Sequence, residues 1–230
     1  MTNAPIHSVF IPIYLFTVLI FSACPTNPEN LNASKVHQKN TPKNTFRILI
    51  LGDSLTEGYG VSNEQAYPSL LQKKLNEEFS AEKNSTYEVI NAGISGSTSS
   101  GGLSRISWLL KSKPDFLVVA LGGNDGLRGV PIEETKNNLQ KIIQSANGKS
   151  IPTLLAGMKI PPNYGIEYTS KFSKLFKELS QEHNVPLVPF LLEGVGGDPE
   201  MNLPDRIHPN PAGHQKIAQN VYRHIINHIP

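Results

Sequence analysis

The sequence predicts an α/β fold: a five-stranded parallel sheet with helices on both faces. Three observations carry this. Short, almost wholly apolar runs recur along the chain after residue 45. Each is followed by a stretch whose apolar residues recur three or four positions apart, the helical period. Runs apolar throughout, rather than alternating, suit strands covered on both sides, and strands alternating with helices build parallel sheets.

Phe46 to Leu51 is the first such run, and Gly52-Asp53 turns the chain out of it. From Pro68 to Phe79 the apolar positions 70, 71, 75 and 79 mark a helix with proline in its first turn. Tyr87 to Asn91 is the second strand, stopped by Ala92-Gly93. Leu103, Ile106, Leu109 and Leu110 mark the second helix, and Phe116 to Leu121 is the third strand. Leu139, Ile142, Ile143 and Ala146 mark the third helix; Thr153 to Met158 is the fourth strand. Phe172, Leu175, Phe176 and Leu179 mark the fourth helix, and Val185 to Phe190 is the fifth strand. Pro211 opens a last helix with Ile217, Ala218, Val221, Ile225 and Ile229 on one face. Parallel sheets place ligand sites at the carboxyl ends of their strands, so the loops there should hold the chemistry.

The 230 residues suffice for one domain plus an appendage. The net charge is +2, and residues 1–45 supply it, with three lysines against Glu29. The remaining 18 basic and 18 acidic side chains balance, so no global basic field exists to hold nucleic acid. A single cysteine excludes a disulfide framework and a four-cysteine zinc site.

That cysteine, Cys24, closes an apolar run from Ile6 to Ala23. Three readings fit residues 1–23: a lipoprotein signal, an ordinary signal peptide and an uncleaved anchor. The stretch resembles a bacterial lipoprotein signal, which implies that Cys24 is lipidated and becomes the first mature residue. The leader lacks Lys and Arg, which keeps the other two readings open. Residues 24–45 are rich in Asn, Pro, Thr, Ser and Lys. Such a segment cannot bury enough apolar surface to offset its ordering entropy, so a flexible tether is expected there. The globular domain then runs from 46 to 230, and the protein is expected to be exported to the cell envelope, in the periplasm or as a membrane-anchored lipoprotein.

The unusual residues cluster in the strand-end loops. They are Gly52-Asp53-Ser54-Leu55, then Gly93 to Thr98, then Gly122-Gly123-Asn124-Asp125, and finally Asp205-Arg206-Ile207-His208 before the last helix. A serine hydroxyl is a poor nucleophile until a base lies within hydrogen-bond reach. Histidine suits that task at neutral pH, and a carboxylate can fix its tautomer. His208 is the one histidine of seven with a carboxylate three residues before it at a helix entrance. The backbone N–H groups of Ser54 and Gly96 and the Asn124 amide are available donors for an oxyanion. Each residue has a plainer reading. Ser54 could cap a helix, and Asn124 and Asp125 could be turn residues. Asp53 is expected to organise the serine turn and Asp125 to support it. His214, His224 and His228 are expected to be solvated or packed, and His183 to sit near a helix end. The 127–131 loop is placed to move over a substrate.

These blocks resemble, in order and type, the four blocks of the SGNH, or GDSL, hydrolase superfamily. Leu121 to Gly129 and Ile160 to Gly165 are similar to its bacterial acyl-CoA thioesterase I, lysophospholipase and arylesterase group. The resemblance spans residues 46–228. It implies a three-layer α/β/α, flavodoxin-like fold. It implies Ser54 as nucleophile, His208 as general base and acid, and Asp205 as its orienter. Ser54 N–H, Gly96 N–H and Asn124 form the implied oxyanion hole, with no metal or organic cofactor. The Gly-x-Ser-x-Gly elbow of α/β-hydrolases is absent. The expected activity is hydrolysis of carboxylic esters or thioesters through an acyl-enzyme. The expected partners are a small acyl ester or a lysophospholipid, and the membrane through the anchor. A carbohydrate O-acetyl esterase on the same fold and a non-catalytic lipid-anchored binding module are the alternatives.

Overall fold

A computed structural model describes residues 44–83 and 85–230. The leader, Cys24 and the tether up to residue 43 lie outside the described residues. Strand β1 (Asn44–Gly52) starts two residues before the expected onset at Phe46. It lies between β2 (Ser85–Gly93) and β3 (Phe116–Ala120), and all its pairings are parallel. The sheet continues through β4 (Thr153–Ala156) to β5 (Leu187–Val188), giving the order β2-β1-β3-β4-β5. The five-stranded parallel α/β sheet expected from the apolar runs is therefore present.

Ile48 to Leu51 and Phe116 to Val119 have at most 1% of their surface exposed. Burying such a side chain contributes roughly 1.5–3 kcal/mol. Helix α2 (Tyr67–Lys83) crosses from β1 to β2 and packs on α7 (Pro211–Ile225). Helices α3 (Ser99–Leu109), α5 (Ile132–Asn147) and α6 (Ile166–His183) pack on one another in sequence. Asn210 caps α7 by accepting the Gly213 N–H at 3.0 Å, and Pro211 opens the helix where a missing N–H costs nothing.

The structure also departs from the sequence expectation elsewhere. β4 ends at Ala156, short of the expected Met158. β5 keeps two residues of the expected 185–190, because Pro186 and Pro189 bracket it and neither can donate to the ladder. Two one-turn helices, α1 (Ser54–Glu57) and α4 (Gly123–Leu127), stand where turns were expected. Helix α7 ends at Ile225, so Ile229 lies beyond it.

The connections from β1 and from β3 set out toward opposite edges of the sheet. Open α/β sheets bind ligands at such a switch point. Gly52 of β1 pairs with Gly93 on one side and Ala120 on the other, so the three loops leave the sheet side by side.

Candidate active site

Ser54 opens α1 directly after β1. Its neighbour Asp53 caps the helix, with Oδ1 accepting the Leu55 N–H at 3.0 Å. Gly52 is required here: a Cβ on it would stand 1.8 Å from Thr56 Oγ1. The helix stops after one turn at Gly58, whose φ of 89° is in the left-handed region that glycine tolerates.

His208 comes from the loop before α7. That loop is closed by the Asn202–Pro209 bridge and by the Leu203 N–H on the His208 carbonyl at 2.7 Å. Asp205 Oδ1 accepts the N–H groups of Ile207 and His208, at 2.9 and 3.0 Å. Its Oδ2 lies 2.7 Å from His208 Nδ1. The His208 backbone N–H leads the causes that lower the Asp205 carboxyl to about 2, so it is ionised at neutral pH. An ionised carboxylate only accepts, so the Nδ1 beside it carries the proton. Nε2 then presents its lone pair to Ser54 Oγ, 3.1 Å away. The Tyr59 ring lies against the imidazole with centroids 4.4 Å apart.

Asn124 sits on α4, beyond Gly122, whose φ is 108°. Its Nδ2 donates to the Ser97 carbonyl at 3.1 Å and lies 3.4 Å from Asp53 Oδ2. Asp53 is buried, and burial raises its carboxyl to about 6. Asp125 is buried too: it accepts from Ser99 N–H at 2.8 Å and from the Ser99 and Thr135 hydroxyls, joining α3 and α5 to α4. Its supporting role matches the sequence reading.

Gly96 lies on the exposed loop after β2, with φ 75°. It does not line the groove that holds Ser54 and Asn124. Its N–H and that of Ser54 have no acceptor among the described residues. His214 is fully buried, its Nδ1 accepting the Tyr67 N–H at 3.2 Å, so it packs rather than serves the groove. Tyr59 escaped sequence reasoning, since nothing in its neighbours points to a histidine 149 positions away.

A groove of about 530 Å³ opens from Ser54 and His208. Met158, Ile160, Pro161, Phe190, Leu192 and Ile207 give it apolar walls. The volume falls within the roughly 300–1,000 Å³ of small-molecule sites.

A serine at a helix start, backed by a histidine and an ionised aspartate at the carboxyl edge of a parallel sheet, defines a serine-dependent ester hydrolase. The profile of the GDSL-like lipase/acylhydrolase family matches residues 50–216. The chain is 41% identical over 176 residues to "Esterase TesA" of Pseudomonas aeruginosa, covering 76% of this chain and 85% of that one. It is 42% identical over 164 residues to "Thioesterase 1/protease 1/lysophospholipase L1" of Escherichia coli K12, covering 71% and 75%. The crystal structure of the psychrotrophic esterase EstA from Pseudoalteromonas sp., inhibited by monoethylphosphonate, superposes with a TM-score of 0.73 at 35% identity, covering 79% of this chain and 97% of that one. The protein belongs to the GDSL-like lipase/acylhydrolase family, and it hydrolyses carboxylic esters or thioesters.

Proposed function

We propose that Ser54 is the nucleophile of an acyl-chain hydrolase, with His208 as base and acid and Asp205 as orienter. Ser54 Oγ attacks the carbonyl carbon while its proton passes to His208 Nε2. The tetrahedral oxyanion meets the N–H groups of Ser54 and Gly96 and the Asn124 amide. Collapse breaks the bond to the leaving alcohol or thiol, which departs with the proton from His208. Water, deprotonated by His208, then attacks the acyl-enzyme and releases the acid and Ser54.

The observation that carries the choice of substrate is the apolar groove running from Ser54. An acetyl group needs no such space, so a longer acyl chain is favoured over an acetylated sugar. Lysophospholipids, aryl esters and acyl thioesters of medium or long chain fit this reading. The test is a p-nitrophenyl ester series from acetate to palmitate. Turnover rising toward octanoate supports it; activity confined to acetate refutes it.

The apolar leader of residues 1–23 and the lone Cys24 support a location of the site at the cell envelope. Lipidation of Cys24 would tether the domain to a membrane whose lysophospholipids it meets. Palmitate labelling of the full chain, lost in Cys24→Ala, tests this; equal labelling of the variant refutes it.

A further inference from the structure

The loop that carries Gly96 is held from two sides, by the helices that bear the other two oxyanion donors. Glu57 ends α1, three residues after Ser54. Its Oε2 accepts the Ser95 N–H at 2.8 Å and also bonds the Ser95 hydroxyl. Arg128 follows α4, with its own N–H on the Asn124 carbonyl at 3.1 Å. Its Nη2 donates to the Gly96 carbonyl at 3.0 Å. Asn124 Nδ2 holds the Ser97 carbonyl, as described above.

The consequence lies in which donor stays open. The Ile94 N–H bonds the Gly52 carbonyl at 3.2 Å, and the Ser97 N–H bonds the Ile94 carbonyl at 3.0 Å. The Ser95 N–H belongs to Glu57. From 94 to 97, Gly96 alone has an N–H without an acceptor among the described residues. The loop is exposed, and Gly96 at φ 75° has no side chain to restrict it. Glu57 holds the Ile94–Ser95 peptide and Arg128 holds the Gly96–Ser97 peptide, so the Ser95–Gly96 peptide between them, which carries that N–H, is limited in direction from both ends. Arg128 has no carboxylate within ion-pair distance among the described residues, so its guanidinium is not otherwise engaged.

We infer that Arg128 and Glu57 are positioning residues for the oxyanion hole: they clamp the two peptides that flank the Ser95–Gly96 peptide so that the Gly96 N–H is aimed before substrate arrives. This rests on the role proposed above for Gly96. Preorganised donors lower the barrier because they need no reorganisation as the charge develops, and misplacement by about 1 Å can cost ~10²-fold. The clamp therefore acts on kcat and leaves the affinity for the ground-state ester alone.

The test compares Arg128→Met, Arg128→Lys, Glu57→Ala and Ser54→Ala in the full chain on p-nitrophenyl octanoate. Binding of an octyl trifluoromethyl ketone is measured alongside. Ser54 adds to that ketone carbon, the proton passes to His208 and the carbonyl oxygen becomes an oxyanion, so its affinity reads the hole directly. For Arg128→Met and Glu57→Ala, kcat should fall about 10–100-fold with KM within about twofold. Ketone affinity should fall by the same factor, and Arg128→Lys should recover most of both. The inference is overturned if KM rises with kcat unchanged, which makes Arg128 a substrate contact. It is equally overturned if kcat falls while ketone affinity holds, or if both stay at the wild-type level while Ser54→Ala is inactive. An active Ser54→Ala variant would instead overturn the proposed function itself.

Discussion

Asp53 Oδ2 and Asn124 Nδ2 lie 3.4 Å apart, so the residue that caps the Ser54 helix also touches the amide proposed to receive the oxyanion. One buried carboxyl thus joins the ends of β1 and β3 at the switch point of the sheet.

This carboxyl makes a pH-dependent prediction. Burial raises it from 3.8 to about 6. Between these values the folded chain keeps a proton that the unfolded chain has released, so this group's contribution falls as pH rises from about 4 to about 6 and then stays constant. Asp53→Asn removes the charge and keeps an oxygen for the Leu55 N–H. At pH 7.5 the variant should gain stability, with an upper bound on the order of 3 kcal/mol, and the gain should vanish near pH 4. Turnover should drop tenfold or more, because the new amide turns a donor toward Asn124. Urea denaturation at the two pH values is the check; a variant less stable at pH 7.5 contradicts this account.

His214 works in the opposite sense. Burial lowers it from 6.5 to about 4. Between these values the unfolded chain takes up a proton that the folded chain refuses, so stability is complete above about 6.5 and is lost as pH falls toward 4. Asp53 and His214 oppose each other between pH 4 and 6. His214→Gln should therefore unmask the Asp53 slope, and its melting temperature should decline from pH 4 to 6 more steeply than that of the wild type. Parallel pH profiles would count against the buried neutral histidine.

Asn124→Ala removes one proposed oxyanion donor and leaves the Ser54–His208 contact in place. Its kcat should fall roughly 10²–10³-fold with little change in KM. A rise in KM alone would mean that Asn124 binds substrate rather than the transition state.

Leu192 is one of the apolar side chains that line the groove. Leu192→Trp should shorten the space and lower the ratio of octanoate to acetate hydrolysis about tenfold, since ~1–3 kcal/mol separates substrates by small differences in apolar fit. An unchanged ratio would place the acyl chain elsewhere.

The parts of this site that were legible in the sequence share one property: each is a dense local cluster. Ser54 sits in Gly-Asp-Ser-Leu, Asn124 in Gly-Gly-Asn-Asp, and Asp205 stands three residues before His208. The long helices were legible because apolar residues repeat over several turns. Helices α1 and α4 have four and five residues, too few for a period to register. The fifth strand was overread although Pro186 and Pro189 stood in it, because the apolar run outweighed the missing donors. Arg128 stood out only as part of the 127–131 loop expected to move over a substrate, and Glu57 and Tyr59 gave no signal. Each acts on a partner brought near only by the sheet, 32, 38 and 149 residues away. Local pattern locates the proposed reacting groups; tertiary packing decides what holds them.

The most direct test of the central claim is hydrolysis of p-nitrophenyl octanoate by the wild type, Ser54→Ala, His208→Ala and the double variant, with fluorophosphonate labelling in parallel. Each single variant should lose roughly 10³–10⁶-fold in turnover and the double little more, because the groups act as a unit. The label should attach to the wild type and not to Ser54→Ala. Hydrolysis by Ser54→Ala at the wild-type rate would contradict the account.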